Sequence, residues 1–550
     1  MPVKIFVLFC LLFATSCKAQ TSMDSYLGGW AGTFKEEQPF LFTVEITSEG
    51  TEKIARFMGK KSITEIPLHL ETPPYWVGEI MGQLHIRIDM TAATPVAFIQ
   101  TGHHLSHLAL QESPTGSWVG TWNLLIESHS LPTLYVSLEA WDNGSYGAST
   151  FFKEPTYHYM WGQDFKKVEN EISFTDIRSN IHFKGILNEN QIDLTLHFLN
   201  ESTAFSLFPL AYDQWQRGQY TEKATEGMAP ARFARLIHDI QTDTLAGTHA
   251  VLIAQKGETL LERYFKGFTA STPHDTRSLS KSFAAALVGS AIADQKLANV
   301  DLPIKGFFAK AYPDIDWTNG KDRITLHHLL TMSSGLDAID FGLNRNSYAN
   351  EGAYQDQPNW TQYILQAPMV YEPGSEANYG SGNPHLLAPI LNEVLGERLE
   401  FYLHRKLFRP LGISNYRLQT NNEDLPYFGG GWYFTPKDVL TFGQLYLQGG
   451  NWEGQQLLPK TWVQQCMESY TVLANTRDKN GYGYLFWHKT YEVAGQKIAS
   501  IEARGSGGQY LFIVPEHALV VVITSGNYRN NKGFQPERIM KDYILPEILK

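Results

Sequence analysis

Ser278-Leu279-Ser280-Lys281 is the one Ser-x-x-Lys spacing in this 550-residue chain. Three residues is close to one helical turn, so on a helix the two side chains share a face and can meet. A free Ser hydroxyl is a poor nucleophile, and a neutral amine beside it can take its proton. A helix starting here would also aim its first N–H groups and its positive dipole end at the same spot. The same residues fit a Ser helix cap followed by a solvated Lys. Spacing alone leaves both readings open.

Other chemistry-bearing groups are sparser. His103-His104-Leu105-Ser106-His107 suggests metal at first sight, but lacks the Asp and downstream ligands of a metallo-hydrolase. No His-Glu-x-x-His, no Gly-x-Ser-x-Gly and no nucleotide-binding Gly loop occurs. The reading therefore calls for no cofactor and no metal. The cysteines are Cys10, Cys17 and Cys466, too few and too early for a disulfide framework or a Cys-based zinc site. Cys466 fits a buried small hydrophobe on a short amphipathic helix. Net charge is −11 without a basic patch, which argues against a nucleic-acid partner.

Further strings follow Ser278 in a definite order. They are Thr325-Leu326-His327-His328-Leu329-Leu330-Thr331-Met332-Ser333-Ser334-Gly335-Leu336, Tyr371-Glu372-Pro373-Gly374, Tyr379-Gly380-Ser381-Gly382-Asn383, Gly429-Gly430-Gly431-Trp432 with Thr435-Pro436-Lys437-Asp438, and Gly505-Ser506-Gly507-Gly508-Gln509. In these motifs residues 236–550 resemble the β-lactamase-related serine hydrolases, which include class C β-lactamases, D-Ala-D-Ala carboxypeptidases, esterases and amide hydrolases. The resemblance implies that Ser278 is acylated, that Lys281 activates it, and that Tyr379 shares or relays the proton. Ser381 stands where Asn is commoner. Ser506-Gly507-Gly508 matches the third motif, and the backbone N–H groups of Ser278 and Gln509 would form the oxyanion hole. The usual Lys or His of that motif is replaced by Ser506. Arg504, two residues earlier on a strand, either supplies the missing charge or is a surface strand residue beside a substrate without a carboxylate.

Lys and Tyr ordinarily titrate near roughly 10, so neither is a base at neutral pH. Placed together in a poorly hydrated cleft, they can share one proton and titrate as a unit.

The elements that must position these residues differ between the two halves. Residues 22–210 alternate apolar and polar residues, as in 42–46, 84–88, 134–138 and 192–196, and predict an all-β domain. Asp142-Asn143-Gly144 and Asn188-Glu189-Asn190 mark turns. Trp30-Ala31-Gly32-Thr33-Phe34 recurs as Trp118-Val119-Gly120-Thr121-Trp122, suggesting a two-unit repeat of sandwich or barrel-like form. Residues 211–235 read as a linker. From 236 a hairpin over 250–264, helical periodicity through Phe283, Leu287, Val288, Ala291 and Ile292, a hairpin over 509–523 and a closing helix over 542–550 predict an α+β domain whose end strands share one sheet. The whole constellation lies beyond the linker, so that domain is expected to fold and acylate alone.

Lys4 followed by the apolar run 5–14 reads as a secretory signal over 1–19. Two endings compete: cleavage before Gln20, or lipidation of Cys17, which would be the chain's one tie to a membrane. The expected location is the periplasm or outer membrane of a bacterium. The expected function is an exported serine hydrolase acting on an ester or amide, with a small molecule or cell-wall peptide as substrate. The alternatives are a D-Ala-D-Ala carboxypeptidase or β-lactamase type of cell-wall enzyme, and a catalytically degenerate penicillin-binding-like protein.

Overall fold

The computed structural model describes residues 22–550 except 51, 73, 126–132, 142–143, 153–161, 212–224 and 529. The signal segment, the turn at 142–144 and most of the linker therefore lie outside the described residues.

The N-terminal half is all β, folded as two curled sheets. In the first, the strands from Leu41–Glu49 to His104–Leu108 run as antiparallel neighbours in chain order, and Trp118–Asn123 lies beside Leu41–Glu49. In the second, Gly28–Thr33 is seated between Thr133–Ala140 and Glu201–Leu210. The two Trp-x-Gly-Thr strands are thus exchanged. Each pairs with the strand that follows the other copy. Their glycines do one job twice: a Cβ on Gly32 would lie 2.3 Å from the Ser206 carbonyl oxygen, and one on Gly120 would lie 2.6 Å from that of Ala109. Only a bare backbone lets the last strand of each unit close so near. Trp30, Trp122 and Phe34 drop into one apolar core shared by both sheets, with Trp122 stacked on Phe42 at 5.6 Å.

The C-terminal half has three layers. A nine-stranded antiparallel sheet carries Thr248–Gln255, Leu519–Ser525, Gln509–Val514 and Gln496–Gly505 side by side, so the two ends of this half meet in one sheet as expected. Strand period decides which layer each residue feeds. Leu511, Ile513, Val520 and Val522 face the helices Lys281–Ala293 and Pro436–Leu447. Phe512, Val514, Val521 and Ile523 face Ala234–Gln241 and the C-terminal helices. The latter begin at Gln535, earlier than the expected 542. Helix Lys281–Ala293 is buried on every side through Ala291, so the apolar spacing read as one face belongs to a central helix. Cys466 is buried in helix Lys460–Cys466.

One sheet crosses between the halves. Strand His104–Leu108 pairs with Arg417–Gln419, which leads to Tyr433–Phe434 and then to His274–Asp275, directly before the Arg277–Ser280 turn. Tyr75 and Phe98 pack on Phe401 at 4.6 and 4.9 Å. The histidine run belongs to this junction. His103 stacks on Trp360 at 5.8 Å, and His107 on His404 at 4.3 Å, while its Nδ1 meets the Ser414 carbonyl at 2.9 Å. Burial holds the imidazoles of His103 and His104 below their usual range and lowers His107 to about 4. Neutral imidazoles packed this way are interface filling.

Candidate active site

Strand His274–Asp275 delivers the chain to a short 3-10 turn, Arg277–Ser280, that runs into helix Lys281–Ala293. Arg277 enters this turn with φ 51°, a left-handed conformation costly for a side-chain-bearing residue. Asp275 holds it there: one carboxylate oxygen accepts from the Arg277 N–H at 2.9 Å and the other lies 3.0 Å from its Nε. The bend presents Ser278 at the helix start.

Lys281 lies one turn on, 1% exposed. Its Nζ donates to Ser278 Oγ at 2.8 Å, to Ser381 Oγ at 3.1 Å and to the Gly429 carbonyl. The Ser-x-x-Lys spacing is therefore a buried contact and not a solvated Lys. Gly429 comes from the segment following Arg417–Gln419, so the strand that pairs with the N-terminal half also leads to a Lys281 ligand.

Tyr379 is brought to the same amine, which lies 5.1 Å over its ring. Three devices fix it. Asn475 accepts from its backbone N–H at 2.8 Å and donates to its carbonyl at 3.1 Å. Phe341 stacks on its ring at 5.4 Å, and Trp487 at 5.3 Å. Burial raises its phenol, with Lys281 and Ser278 beside the hydroxyl pulling it back.

Ser381 is buried as well, and what holds it was not legible in the sequence. Its Oγ donates to Asp340 Oδ2 at 2.7 Å, and its N–H donates to the same oxygen at 2.8 Å. The other Asp340 oxygen accepts from the Glu351 N–H at 3.0 Å. Burial, assisted by the charge of Glu351, pushes Asp340 up to about 6, against the pull of Lys281 and Ser381. No motif spacing points to Asp340; only the fold brings it under Ser381.

A small pocket opens at Ser278, bordered by Ser506, Glu351, Gln355, Tyr427 and Gly430. Tyr427 donates to Glu351 at 2.7 Å. Ser506 lies on the border of this pocket. Gly507 and Gly508 form the tight hairpin turn behind it with φ 82° and 89°, and a Cβ on Gly507 would strike the Tyr528 ring. Gln509 is fully buried, its carboxamide donating to the Ser525 carbonyl and to the Tyr528 hydroxyl.

Arg504 is not a free anchor. Its Nη2 lies 2.6 Å from Glu502 and its Nη1 3.2 Å from Glu537, with the guanidinium 7% exposed. The carboxylates hold its pKa above the ordinary arginine range. It sits 4.8 Å over the ring of Trp487, which in turn stacks on Tyr379. The surface-residue alternative is overturned: Arg504 is buried, with both carboxylates paired to its guanidinium.

The Beta-lactamase family model matches residues 233–542. The chain belongs to the beta-lactamase family. Among curated relatives, a protein of Escherichia coli named "Putative D-alanyl-D-alanine carboxypeptidase" is 28% identical over 160 residues, 29% of this chain and 36% of that one. A 6-aminohexanoate-dimer hydrolase of Paenarthrobacter ureafaciens is 22% identical over 287 residues, 50% of this chain and 71% of that one. The chain spans about a third of the length of the carboxypeptidase relatives it matches. A penicillin binding protein structure from Bacillus halodurans has TM-score 0.40 at 20% identity, covering 54% of this chain and 95% of that one. The matched region of this beta-lactamase-family chain follows its β half.

Proposed function

We propose that the protein is an exported serine hydrolase that cleaves a neutral ester or amide through an acyl-enzyme on Ser278. The observation that carries this is the Lys281 amine at 2.8 Å from Ser278 Oγ, with the Tyr379 ring 5.1 Å away, in a buried cleft. As Ser278 Oγ bonds to the substrate carbonyl carbon, its proton passes to the Lys281–Tyr379 pair. The carbonyl oxygen gains the negative charge, and N–H groups at Ser278 and at the Ser506 to Gln509 turn are the candidates to receive it. The carbonyl–leaving-group bond then breaks and the leaving group takes the proton. Water, deprotonated by the same pair, releases the acid and restores Ser278.

The neutral substrate class rests on charge. Arg504 is already spent on two carboxylates, Arg277 is paired with Asp275, and Glu351 borders the pocket. A carboxylate-bearing substrate would meet no unpaired cation among the described lining residues, and one anion. Charge-assisted hydrogen bonds are worth roughly 1.5–3 kcal/mol against roughly 0.5–1.5 for neutral ones, so the missing cation costs such substrates about tenfold or more.

A fluorescent fluorophosphonate tests the nucleophile, followed by steady-state hydrolysis of p-nitrophenyl acetate and nitrocefin by one preparation. Labelling on Ser278 with p-nitrophenyl acetate favoured in kcat/KM is expected. Efficient nitrocefin turnover would instead favour the β-lactamase or carboxypeptidase alternative. No labelling and no turnover would favour the degenerate binding protein.

A further inference from the structure

The three contacts of Lys281 pose a problem of proton supply. The Gly429 carbonyl can only accept, so the amine donates there. The Asp340 carboxylate also accepts, so Ser381 Oγ spends its own proton on Asp340 and must accept from Lys281. With a third contact at Ser278, the three hydrogens of an ammonium group are all placed. An ammonium cannot take a proton from Ser278. Some group has to relieve Lys281 of one first, and the Tyr379 phenol, already carrying its proton, cannot.

We propose that Asp340 receives that proton through the Ser381 hydroxyl. The inference rests on the hydrolase reading above. In the step, one Lys281 N–H proton moves to Ser381 Oγ while the Ser381 hydroxyl proton moves to Asp340 Oδ2. Lys281 becomes neutral, Asp340 becomes a neutral acid, and Ser381 ends as it began. Rotation about the Lys281 Cε–Nζ bond then turns the lone pair to Ser278. Distances of 3.1 and 2.7 Å make both transfers direct.

The substitution at position 381 gains a reason. An Asn there could hold Lys281 but has no hydroxyl to pass a proton on. The charged and titratable groups facing Asp340 fit the role. Lys281 and Tyr379 lie on the nucleophile side, the Asp340 N–H donating to the Tyr379 carbonyl at 3.1 Å. Glu351 lies on the other side, its carboxylate held by Tyr427. Glu351 and burial make the neutral acid accessible, while three N–H and O–H donors keep the anion available. Asp340 touches no reacting atom, so it is a positioning and proton-holding residue.

The test is the pH dependence of kcat/KM for p-nitrophenyl acetate and of fluorophosphonate labelling, in wild type, Asp340→Asn, Ser381→Ala and Ser381→Thr. Wild type is expected to lose activity as pH falls through the Asp340 ionisation. Asp340→Asn and Ser381→Ala are expected to be slower by about 100-fold at pH 7 and to lose the wild-type fall in activity as pH drops through the Asp340 ionisation. Ser381→Thr, which keeps the hydroxyl, is expected within about tenfold of wild type. An Asp340→Asn enzyme with the wild-type profile, or one uniformly slower with its pH shape unchanged, overturns the relay. If that variant fails to fold, Ser381→Ala against Ser381→Thr decides: equal losses overturn it. Wild type that takes no label on Ser278 overturns the hydrolase reading and the relay together. Labelled wild type with an unaffected Asp340→Asn overturns the relay alone.

Discussion

The guanidinium of Arg417 donates to the carbonyl of Leu124 at 2.8 Å, joining the segment that leads to Gly429, a Lys281 partner, to the N-terminal sheets. A second N–H reaches the Asn123 carbonyl at the same distance, and burial lowers the guanidinium to about 9. The sequence by itself suggested that a chain starting near residue 232 would fold and acylate. The shared sheet and the stacked Tyr75, Phe98 and Phe401 argue the opposite outcome. A chain of residues 232–550 is expected to bind a hydrophobic dye, to elute as aggregate in size exclusion, and to take little fluorophosphonate. A monomer labelled at the wild-type rate would show that the junction is dispensable.

Ser278→Ala should abolish labelling and ester turnover while changing stability by only about 1 kcal/mol, the worth of one hydrogen bond. Thermal denaturation and gel fluorescence of the same sample report both quantities. Retained esterase activity would move the nucleophile elsewhere.

Lys281→Ala and Tyr379→Phe should each lower kcat by orders of magnitude, with the double variant little worse than either. Groups that handle one proton as a unit lose their function together. Fully multiplicative losses would mean that they work independently.

Arg504→Ala discriminates between anchor and support. It removes the cation beside buried Glu502 and the plate behind Trp487. Breaking a buried pair costs about 3–5 kcal/mol, so the melting temperature should drop sharply. Turnover of p-nitrophenyl acetate and nitrocefin should fall in the same proportion, because Tyr379 loosens for both. A loss confined to nitrocefin would reinstate Arg504 as a carboxylate anchor.

Acid should open the junction. Burial lowers His107 to about 4 and His404 to about 3, and lowers His103 and His104 as well. Each imidazole takes a proton in the unfolded chain near pH 6.5 but not in the folded one, so its stabilisation is complete above that pH and is lost as pH falls toward 4. Each tenfold difference in proton affinity between the folded and unfolded chain is worth roughly 1.4 kcal/mol. Asp340 and Asp438, both raised to about 6, and Asp356 and Glu502, raised by burial, work in the opposite sense, gaining stability as pH falls, but burial lowers His182, His197, His327, His328, His385 and His488 as well, so the imidazoles outnumber these carboxyls. Urea midpoints at pH 7, 5.5 and 4.5 should decrease steadily, and a flat series would contradict the neutral interface.

The Ser278–Lys281 pair was legible because its geometry is local: three residues on one helical turn meet wherever the helix is placed. The strand alternation of residues 22–210 and the closing hairpin were legible for the same reason, as was the doubled Trp-x-Gly-Thr. What the doubled motif does was not legible. Its exchange between units depends on which of two similar strands pairs with which, and pairing across long separations leaves no local signature. Arg504 makes the same point for charge. Two residues from Ser506 it invited a substrate role, yet its charge is paired by Glu537, brought from the C-terminal helix to 3.2 Å. Asp340 stands among ordinary loop residues and becomes part of the site only because folding buries it beneath Ser381. Backbone periodicity is written into neighbouring residues, whereas the charge state and task of a buried group depend on partners that only tertiary packing selects.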